Sequence, residues 1–162
     1  MNAPALSPSF TIRETGEGDL EEILVHRRGM FAEMGSHPAA VLDAVVRTSR
    51  PFLEQTLKDG SYRGWFAILP DGRVAAGAGL LITPWVTHPQ SPEQTHRAYL
   101  LNVYTYPQFR KRGLARVLTK EAIQFCREHG CKALWLHASE FGRPLYESLG
   151  FLTTNEMKLA ID

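Results

Sequence analysis

The stretch that decides the fold reads Asn102-Val103-Tyr104-Thr105-Tyr106-Pro107-Gln108-Phe109-Arg110-Lys111-Arg112-Gly113-Leu114-Ala115. Its first part belongs to an apolar and aromatic run, residues 98–106, which predicts a buried strand that ends at Pro107. A short basic loop follows. From residue 113 to residue 129 apolar side chains recur at helical spacing, and Gly130 is placed to end the helix. The order of strand, basic loop and long helix predicts a domain of mixed α and β structure.

The first turn of this predicted helix is suited to an anion. N–H groups at a helix N-terminus lack partners and lie at the positive end of the helix dipole, so they bind phosphate groups. Gly113 lets phosphate oxygens approach the backbone, and Ala115 keeps the next turn narrow. Residues 98–120 contain no acid and five basic residues, Arg110, Lys111, Arg112, Arg116 and Lys120. On charge alone, a solvated basic helix start without a ligand is the alternative interpretation.

Composition limits the classes of function. The 162 residues, 44% of them hydrophobic and 22% charged, suit one globular domain. A net charge of +1 provides no general field for nucleic acid. No stretch reaches the roughly 18 apolar residues that a membrane span needs. Cys126 and Cys131 are too few for a disulfide framework or a four-ligand zinc site, so we expect a cytoplasmic protein with reduced thiols and no metal.

The chain upstream of residue 98 predicts an ordered sequence of elements. We expect residues 1–10 to form a flexible leader and residues 11–162 to form a single domain. Residues 11–13 suggest a strand, and Asp19 with Glu22 suggests a capping box. The helix that follows is predicted to end at Gly35 and carries Leu20, Ile23, Leu24 and Arg27 at helical spacing.

A second helical region follows Pro38, and we expect Pro51 to break or kink it before Gly60 ends it. Residues 64–69 and 74–83 predict a hairpin around Asp71-Gly72, in which Gly77 and Gly79 indicate close backbone packing. A long polar loop is expected at 84–97, a strand at 132–138, a short helix at 144–149 and a last strand from residue 151.

Two blocks of the chain resemble the GNAT superfamily of N-acetyltransferases. Residues Arg110-Lys111-Arg112-Gly113-Leu114-Ala115 match the family pattern Gln/Arg-x-x-Gly-x-Gly/Ala between a strand and a helix. The second block reads Leu134-Trp135-Leu136-His137-Ala138-Ser139, then Leu145-Tyr146-Glu147-Ser148-Leu149-Gly150-Phe151. The Walker pattern and the dinucleotide pattern Gly-x-Gly-x-x-Gly are both absent. The resemblance implies an α/β (α+β) GNAT fold, in which helices flank a twisted mixed sheet with a splayed central strand.

The resemblance also implies a set of site residues. Pantetheine would lie against the splayed strand, where an N–H group would polarise the thioester carbonyl. The strand residues concerned are Val103, Tyr104 and Thr105. The pyrophosphate would be held by Arg110, Lys111, Arg112, Gly113, Leu114 and Ala115. Ser139 stands where many relatives have an asparagine, and Tyr146 would hydrogen-bond the departing thiolate unless it is only a core tyrosine.

The activity implied is transfer of an acetyl group from acetyl-CoA to a primary amine by direct attack. The general base is left open between Glu33, His37, His96, His137 and water. Met30, Phe31 and Met34 line either an acceptor pocket or the core. We expect no nucleic acid, membrane or metal partner, and the resemblance is compatible with a homodimer. The alternatives are a non-catalytic acyl-CoA-binding sensor or interaction module and, less well matched, a nucleotide-binding regulator.

Overall fold

A five-stranded sheet organises the computed structural model, which describes residues 9–161. The strands are β1 (Thr11–Glu14), β2 (Tyr62–Ile68), β3 (Val74–Pro84), β4 (His96–Thr105) and β5 (Leu134–Leu136). The helices are α1 (Leu20–Met34), α2 (Ala39–Asp59), α3 (Leu114–Glu128) and α4 (Arg143–Ser148). Residues 1–8 of the predicted leader and residue 162 lie outside the described residues.

The strands follow their sequence order across the sheet, β1-β2-β3-β4-β5. The first four pair antiparallel, whereas β4 and β5 pair parallel. The parallel pair needs a crossover, which α3 supplies between them. The predicted hairpin is confirmed as β2 and β3, with Gly72 in the left-handed region at φ 86°.

Helices cover both faces of the sheet. On one face Leu114, Leu118 and Ala122 of α3 pack with Leu80 and Leu100 in a buried cluster. A second cluster joins α1 and α2 to β2, through Ile23, Leu24, Leu53, Tyr62 and Phe66. Because neighbouring strand residues point to opposite faces, Trp65 belongs to the first cluster and Phe66 to the second. This arrangement confirms the predicted mixed fold with flanking helices.

The two strand glycines mark close packing, as predicted. A Cβ atom at Gly79 would lie 2.1 Å from the Tyr62 hydroxyl. One at Gly77 would lie 2.6 Å from Nδ1 of His26, a buried α1 side chain. The first approach is between neighbouring strands β3 and β2, and the second brings the His26 side chain of α1 against β3.

The ends of α1 differ from the prediction. The predicted capping box between Asp19 and Glu22 is not formed. An Asp19 carboxylate oxygen instead accepts a hydrogen bond from the Gly16 N–H at 2.8 Å, in the 3-10 turn that precedes the helix. Glu22 instead accepts a hydrogen bond from the Tyr106 hydroxyl at 2.7 Å. Gly35 follows the helix in an extended conformation, with φ −174°, and is not a left-handed cap.

The break expected as one of two outcomes at Pro51 does not occur, since α2 continues through it from Ala39 to Asp59. Proline removes one intrahelical hydrogen bond, but Leu53, two residues further on, is buried in the cluster with Tyr62 and Phe66 of β2 and holds this part of the helix against the sheet. The predicted stop at Gly60 is confirmed by its φ of 79°.

The C-terminal strands are shorter than predicted. β5 occupies only residues 134–136, and residues 151–161 form no strand. Leu152 and Met157 in this segment are 87% and 95% exposed, so no apolar surface holds them in a sheet. The predicted loop at 84–97 is also shorter, because β3 extends to Pro84 and β4 begins at His96. In the part of the chain that the structure describes, no helix is long and apolar enough to cross a membrane.

Candidate active site

A bulge in β4 lies at the centre of the candidate site. Leu101 pairs with Gly79, and Tyr104 pairs with Gly77. Between these two pairs β4 contains one residue more than β3, which is a β-bulge. Asn102, 3% exposed, takes up the extra residue with φ 53°. A bulge of this kind re-aims the following side chains and increases the local twist.

The two central strands separate just beyond this point. β5 pairs with β4 only through residues Ala98, Tyr99 and Leu100. Among residues 9–161, no strand pairs with the remainder of β4, to Thr105, on that side. A cleft of about 1160 Å³ opens there, between α1, β4, α3 and the residues that follow β5. The splayed central strand predicted from the resemblance is therefore present.

Nine of the ten predicted cosubstrate-binding residues line this cleft: Val103, Tyr104, Thr105, Arg110, Lys111, Gly113, Leu114, Ala115 and Ser139. The tenth, Arg112, is not part of its lining. The Arg112 guanidinium lies over the Phe109 ring, 5.7 Å from its centre. The structure thus brings together most of the set that sequence reasoning selected.

The start of α3 forms an open cradle of N–H groups. Gly113 precedes the helix with φ 77°, and Lys111 has φ 59°. Val117 is the first residue bonded within the helix, through its N–H to the Gly113 carbonyl at 3.1 Å. The N–H groups of residues 114–116 therefore lack intrahelical acceptors. A Cβ atom built on Gly113 would meet no atom within 4 Å, so the cradle is open.

Arg110 reaches across the cleft to α1. Its guanidinium forms an ion pair with Glu33, and its Nε donates to the Thr105 carbonyl at 3.0 Å. The Tyr104 hydroxyl donates to the same Glu33 carboxylate at 3.3 Å. The side chain of Arg110 is thus bound to the protein itself, whereas Lys111 and Arg116 also line the cleft beside the cradle.

Tyr146 lies on α4, on the opposite side of the cleft from α1. Burial raises the pKa of Tyr146 to about 12. Its ring contacts Phe151 edge-on at 5.7 Å and packs against the α3 cluster, so the tyrosine is a core residue as well as a wall of the cleft. Ser139 accepts the Gly142 N–H at 3.1 Å and so orders the turn before α4.

The four candidate bases are distributed unevenly. Glu33 and His137 line the cleft, whereas His37 and His96 do not. His96 is the first residue of β4, not a loop residue as predicted, and its Nε2 lies 3.8 Å from the Cys131 Sγ.

Burial raises the pKa of Cys126 to about 12, which keeps this thiol protonated. No group of three or more His, Cys, Asp or Glu side chains within residues 9–161 could hold a metal ion.

Sequence reasoning missed Arg27 and Asn102. Arg27 lies on α1 and lines the cleft, and its Nη1 donates to the Asn102 side-chain oxygen at 2.9 Å. The available signal was the position of Arg27 on the inward, otherwise apolar face of its helix. Met30, Phe31 and Met34 also line the cleft, which favours the acceptor-pocket alternative for these three side chains.

The comparisons with known proteins identify the family. Residues 30–151 match the sequence model of the Acetyltransferase (GNAT) family, so the chain belongs to this family. The crystal structure of a GCN5-related N-acetyltransferase from Ralstonia eutropha is 38% identical, with a TM-score of 0.89, and the match covers 94% of this chain and 99% of that one. A predicted acetyltransferase from Clostridium acetobutylicum, solved with acetyl-CoA, shares the fold at 21% identity, with a TM-score of 0.81 and coverage of 95% and 96%.

Two curated proteins match over shorter regions. A glucosamine 6-phosphate N-acetyltransferase from Trypanosoma brucei brucei is 31% identical over 99 residues, 60% of this chain and 63% of that protein. A streptothricin acetyltransferase from Streptomyces lavendulae is 28% identical over 97 residues, 58% of this chain and 47% of that protein. The chain thus matches less than two thirds of the length of either relative.

Proposed function

We propose that this protein is an N-acetyltransferase that moves an acetyl group from acetyl-CoA to a primary amine by direct attack. One observation carries the proposal: a single cleft contains the open start of α3, the unpaired end of β4 and the Tyr146 side chain. We also take residues 11–162 as one domain, because the sheet that supports this cleft includes strands from Thr11 to Leu136.

The cosubstrate would bind along two of these features. Its pyrophosphate would accept hydrogen bonds from the N–H groups of residues 114–116, each contributing roughly 1.5 to 3 kcal/mol. Lys111 would add positive charge beside them. Pantetheine would extend along Val103, Tyr104 and Thr105, whose backbone faces the gap left by β5. Arg110 and Arg112 would contribute to phosphate binding through their backbone N–H groups and their positive charge, and not through direct side-chain hydrogen bonds. Both side chains already contact other protein groups.

The reaction needs the acetyl carbonyl polarised and the thiolate stabilised. A β4 N–H group would stabilise the oxyanion while the amine nitrogen forms a bond to the carbonyl carbon. The C–S bond then breaks, the nitrogen releases its surplus proton to water, and the Tyr146 hydroxyl would donate a hydrogen bond to the departing thiolate. Complete proton transfer from a tyrosine of pKa about 12 to a thiolate whose conjugate thiol has a pKa of about 8.5 is uphill by roughly 5 kcal/mol, so hydrogen bonding is the role we assign.

The attacking amine must first lose a proton, since an alkyl ammonium has a pKa near 10.4. Glu33 already accepts bonds from Arg110 and Tyr104, which leaves it poorly placed to remove this proton. His37 and His96 do not line the cleft. We therefore propose that water or His137 removes this proton.

Calorimetric titration with acetyl-CoA, followed by a thiol-release screen, tests the proposal. The amines should include amino acids, polyamines, peptides and the aminosugar phosphate named for the trypanosomal relative. Binding with thiol release for one acceptor class is the expected result. Binding without release for any acceptor would favour a non-catalytic sensor, and absence of binding would overturn the assignment of the cleft.

A further inference from the structure

Arg27 is a cation withdrawn from water without a carboxylate partner. Its side chain is partly buried at the α1 side of the cleft, and burial lowers the pKa of its guanidinium. Six other arginines form ion pairs with Asp or Glu within residues 9–161: Arg13, Arg28, Arg50, Arg73, Arg97 and Arg110. Arg27 forms none among these residues. Burying an unpaired charge costs free energy that a bound anion would offset.

The protein partners of Arg27 are neutral and leave part of the guanidinium free. Nε donates to the Ser49 hydroxyl at 3.1 Å, and Nη1 donates to the Asn102 side-chain oxygen at 2.9 Å. A guanidinium carries five N–H donors in one plane, so further donors remain. Two parallel N–H groups fit the two oxygens of a carboxylate or a phosphate. Both protein contacts hold the plane in place before a ligand arrives.

The position of Arg27 relates it to the acceptor rather than to the cosubstrate phosphates. Asn102, its partner, is the bulge residue directly before Val103, which is the residue of the proposed pantetheine strand farthest along the chain from the phosphate cradle. The phosphate cradle begins at Gly113, after the end of β4. Met30 and Phe31 line the same side of the cleft, and the Arg27 guanidinium lies 5.0 Å from the centre of the Phe31 ring.

We propose that Arg27 binds the anionic group of the acceptor, so that the acceptor is a primary amine bearing a carboxylate or a phosphate. This inference rests on the proposed acetyl transfer, whose acceptor class it specifies. The anion would dock on the free edge of the guanidinium while the amine reaches the thioester beside Val103. Met30 and Phe31 would contact the carbon skeleton between the two groups.

Matched pairs of amines test the proposal. Phenylalanine with phenethylamine, and methionine with 3-(methylthio)propylamine, differ by a carboxylate; glucosamine 6-phosphate with glucosamine differs by a phosphate. For each compound, calorimetry with CoA present measures binding without turnover, and thiol release from acetyl-CoA measures kcat/KM. The parent protein is compared with Arg27→Gln, with Arg27→Lys and with Arg47→Gln, which removes an exposed α2 arginine outside the cleft.

We expect the anionic member of at least one pair to bind and react at least about tenfold better, and Arg27→Gln to reduce this preference to about twofold or less. Arg27→Lys should retain part of the preference for the anionic compound, and Arg47→Gln should retain all of it. The affinity for acetyl-CoA should be unchanged in each variant. The responding pair identifies the anion as carboxylate or phosphate.

Three results would overturn the inference: equal binding of both members of every pair, failure of every anionic compound to bind, or an equal loss for both members in Arg27→Gln. The last result would show that Arg27 only fixes the bulge through Asn102. Anion binding that depends on Arg27 but occurs without thiol release would instead support this site and count against the proposed transfer.

Discussion

Glu33 on α1 forms an ion pair with Arg110, the first residue of the loop before α3. Both residues line the cleft, and Glu33 also accepts a hydrogen bond from Tyr104 of β4. The carboxylate therefore joins the helix proposed to border the acceptor to the loop proposed to hold the cosubstrate. It also places a negative charge in a cleft otherwise suited to phosphates.

Replacing Glu33 with Gln should strengthen acetyl-CoA binding by up to about fivefold at low salt, because a negative charge is removed and Arg110 is released. The free energy of unfolding should change by less than about 1 kcal/mol, since both side chains are partly exposed. Calorimetry and denaturant titration measure the two effects. Asp43→Asn is the control, because it breaks a different surface ion pair, between Asp43 of α2 and Arg28 of α1 at 2.9 Å, outside the cleft. Weaker binding in Glu33→Gln would show that the ion pair holds the loop in its binding shape.

Replacing Gly113 with Ala should weaken acetyl-CoA binding by at least about tenfold, because a methyl group enters the cradle and the left-handed conformation becomes strained. Gly130 offers a matched control at the other end of α3. It has φ 70°, against 77° at Gly113, and a Cβ atom there also meets nothing within 4 Å. Both variants should lose about 1 kcal/mol of stability, yet only Gly113→Ala should lose affinity. Equal affinities in the two variants would contradict the phosphate-cradle assignment.

Replacing Tyr146 with Phe should lower kcat by about tenfold to a hundredfold while the acetyl-CoA dissociation constant changes less than about twofold. Since burial raises the pKa of Tyr146 to about 12, ionisation of this residue should not reduce the rate below about pH 10. Steady-state kinetics across pH 7 to about 10 measure both effects. If the variant turned over as fast as the parent, Tyr146 would be a core residue alone.

His26 should make stability depend on pH. It is 1% exposed, among Phe66, Tyr104 and Tyr106, and burial lowers its pKa although the Glu22 carboxylate partly opposes this. Below the ordinary histidine pKa of about 6.5 the unfolded chain binds more protons than the folded one, so the free energy of unfolding falls as pH is lowered from about 7 to 5.

Denaturant titrations at several pH values measure this slope. His26→Gln removes the titrating group and should flatten the slope, whereas replacing the exposed His88 with Gln should leave it unchanged. If the free energy of unfolding of His26→Gln fell with pH as steeply as that of the parent protein, other groups would cause the acid sensitivity.

The sequence predicts those parts of the fold that depend on local patterns. The hairpin at Asp71-Gly72, the helix from Leu114 and the ends marked by Gly60 and Gly113 follow from turn chemistry and spacing. Pro51 was misleading, because proline lowers helix propensity locally whereas packing of the whole α2 helix decides the outcome.

Features that depend on distant contacts were not predictable in the same way. The bulge falls on Asn102, where no glycine marks a left-handed residue. The Arg110–Glu33 pair joins residues 77 positions apart, and a charge pattern cannot show which carboxylate an arginine will meet. The role proposed for Arg27 likewise depends on seeing the cleft. In a sequence, a basic residue among apolar neighbours is equally compatible with a side chain that extends to solvent.

The short pairing between β4 and β5 has a consequence for handling the protein. Beyond Leu100, β4 presents unpaired backbone groups although it lies inside the sheet, so it behaves there as an exposed sheet edge. Such an edge can recruit a strand from another molecule, and an elongated ligand lying along it would block that recruitment. On the proposed binding mode, we expect the concentrated protein to self-associate more readily without acetyl-CoA than with it, because the ligand would cover these backbone groups.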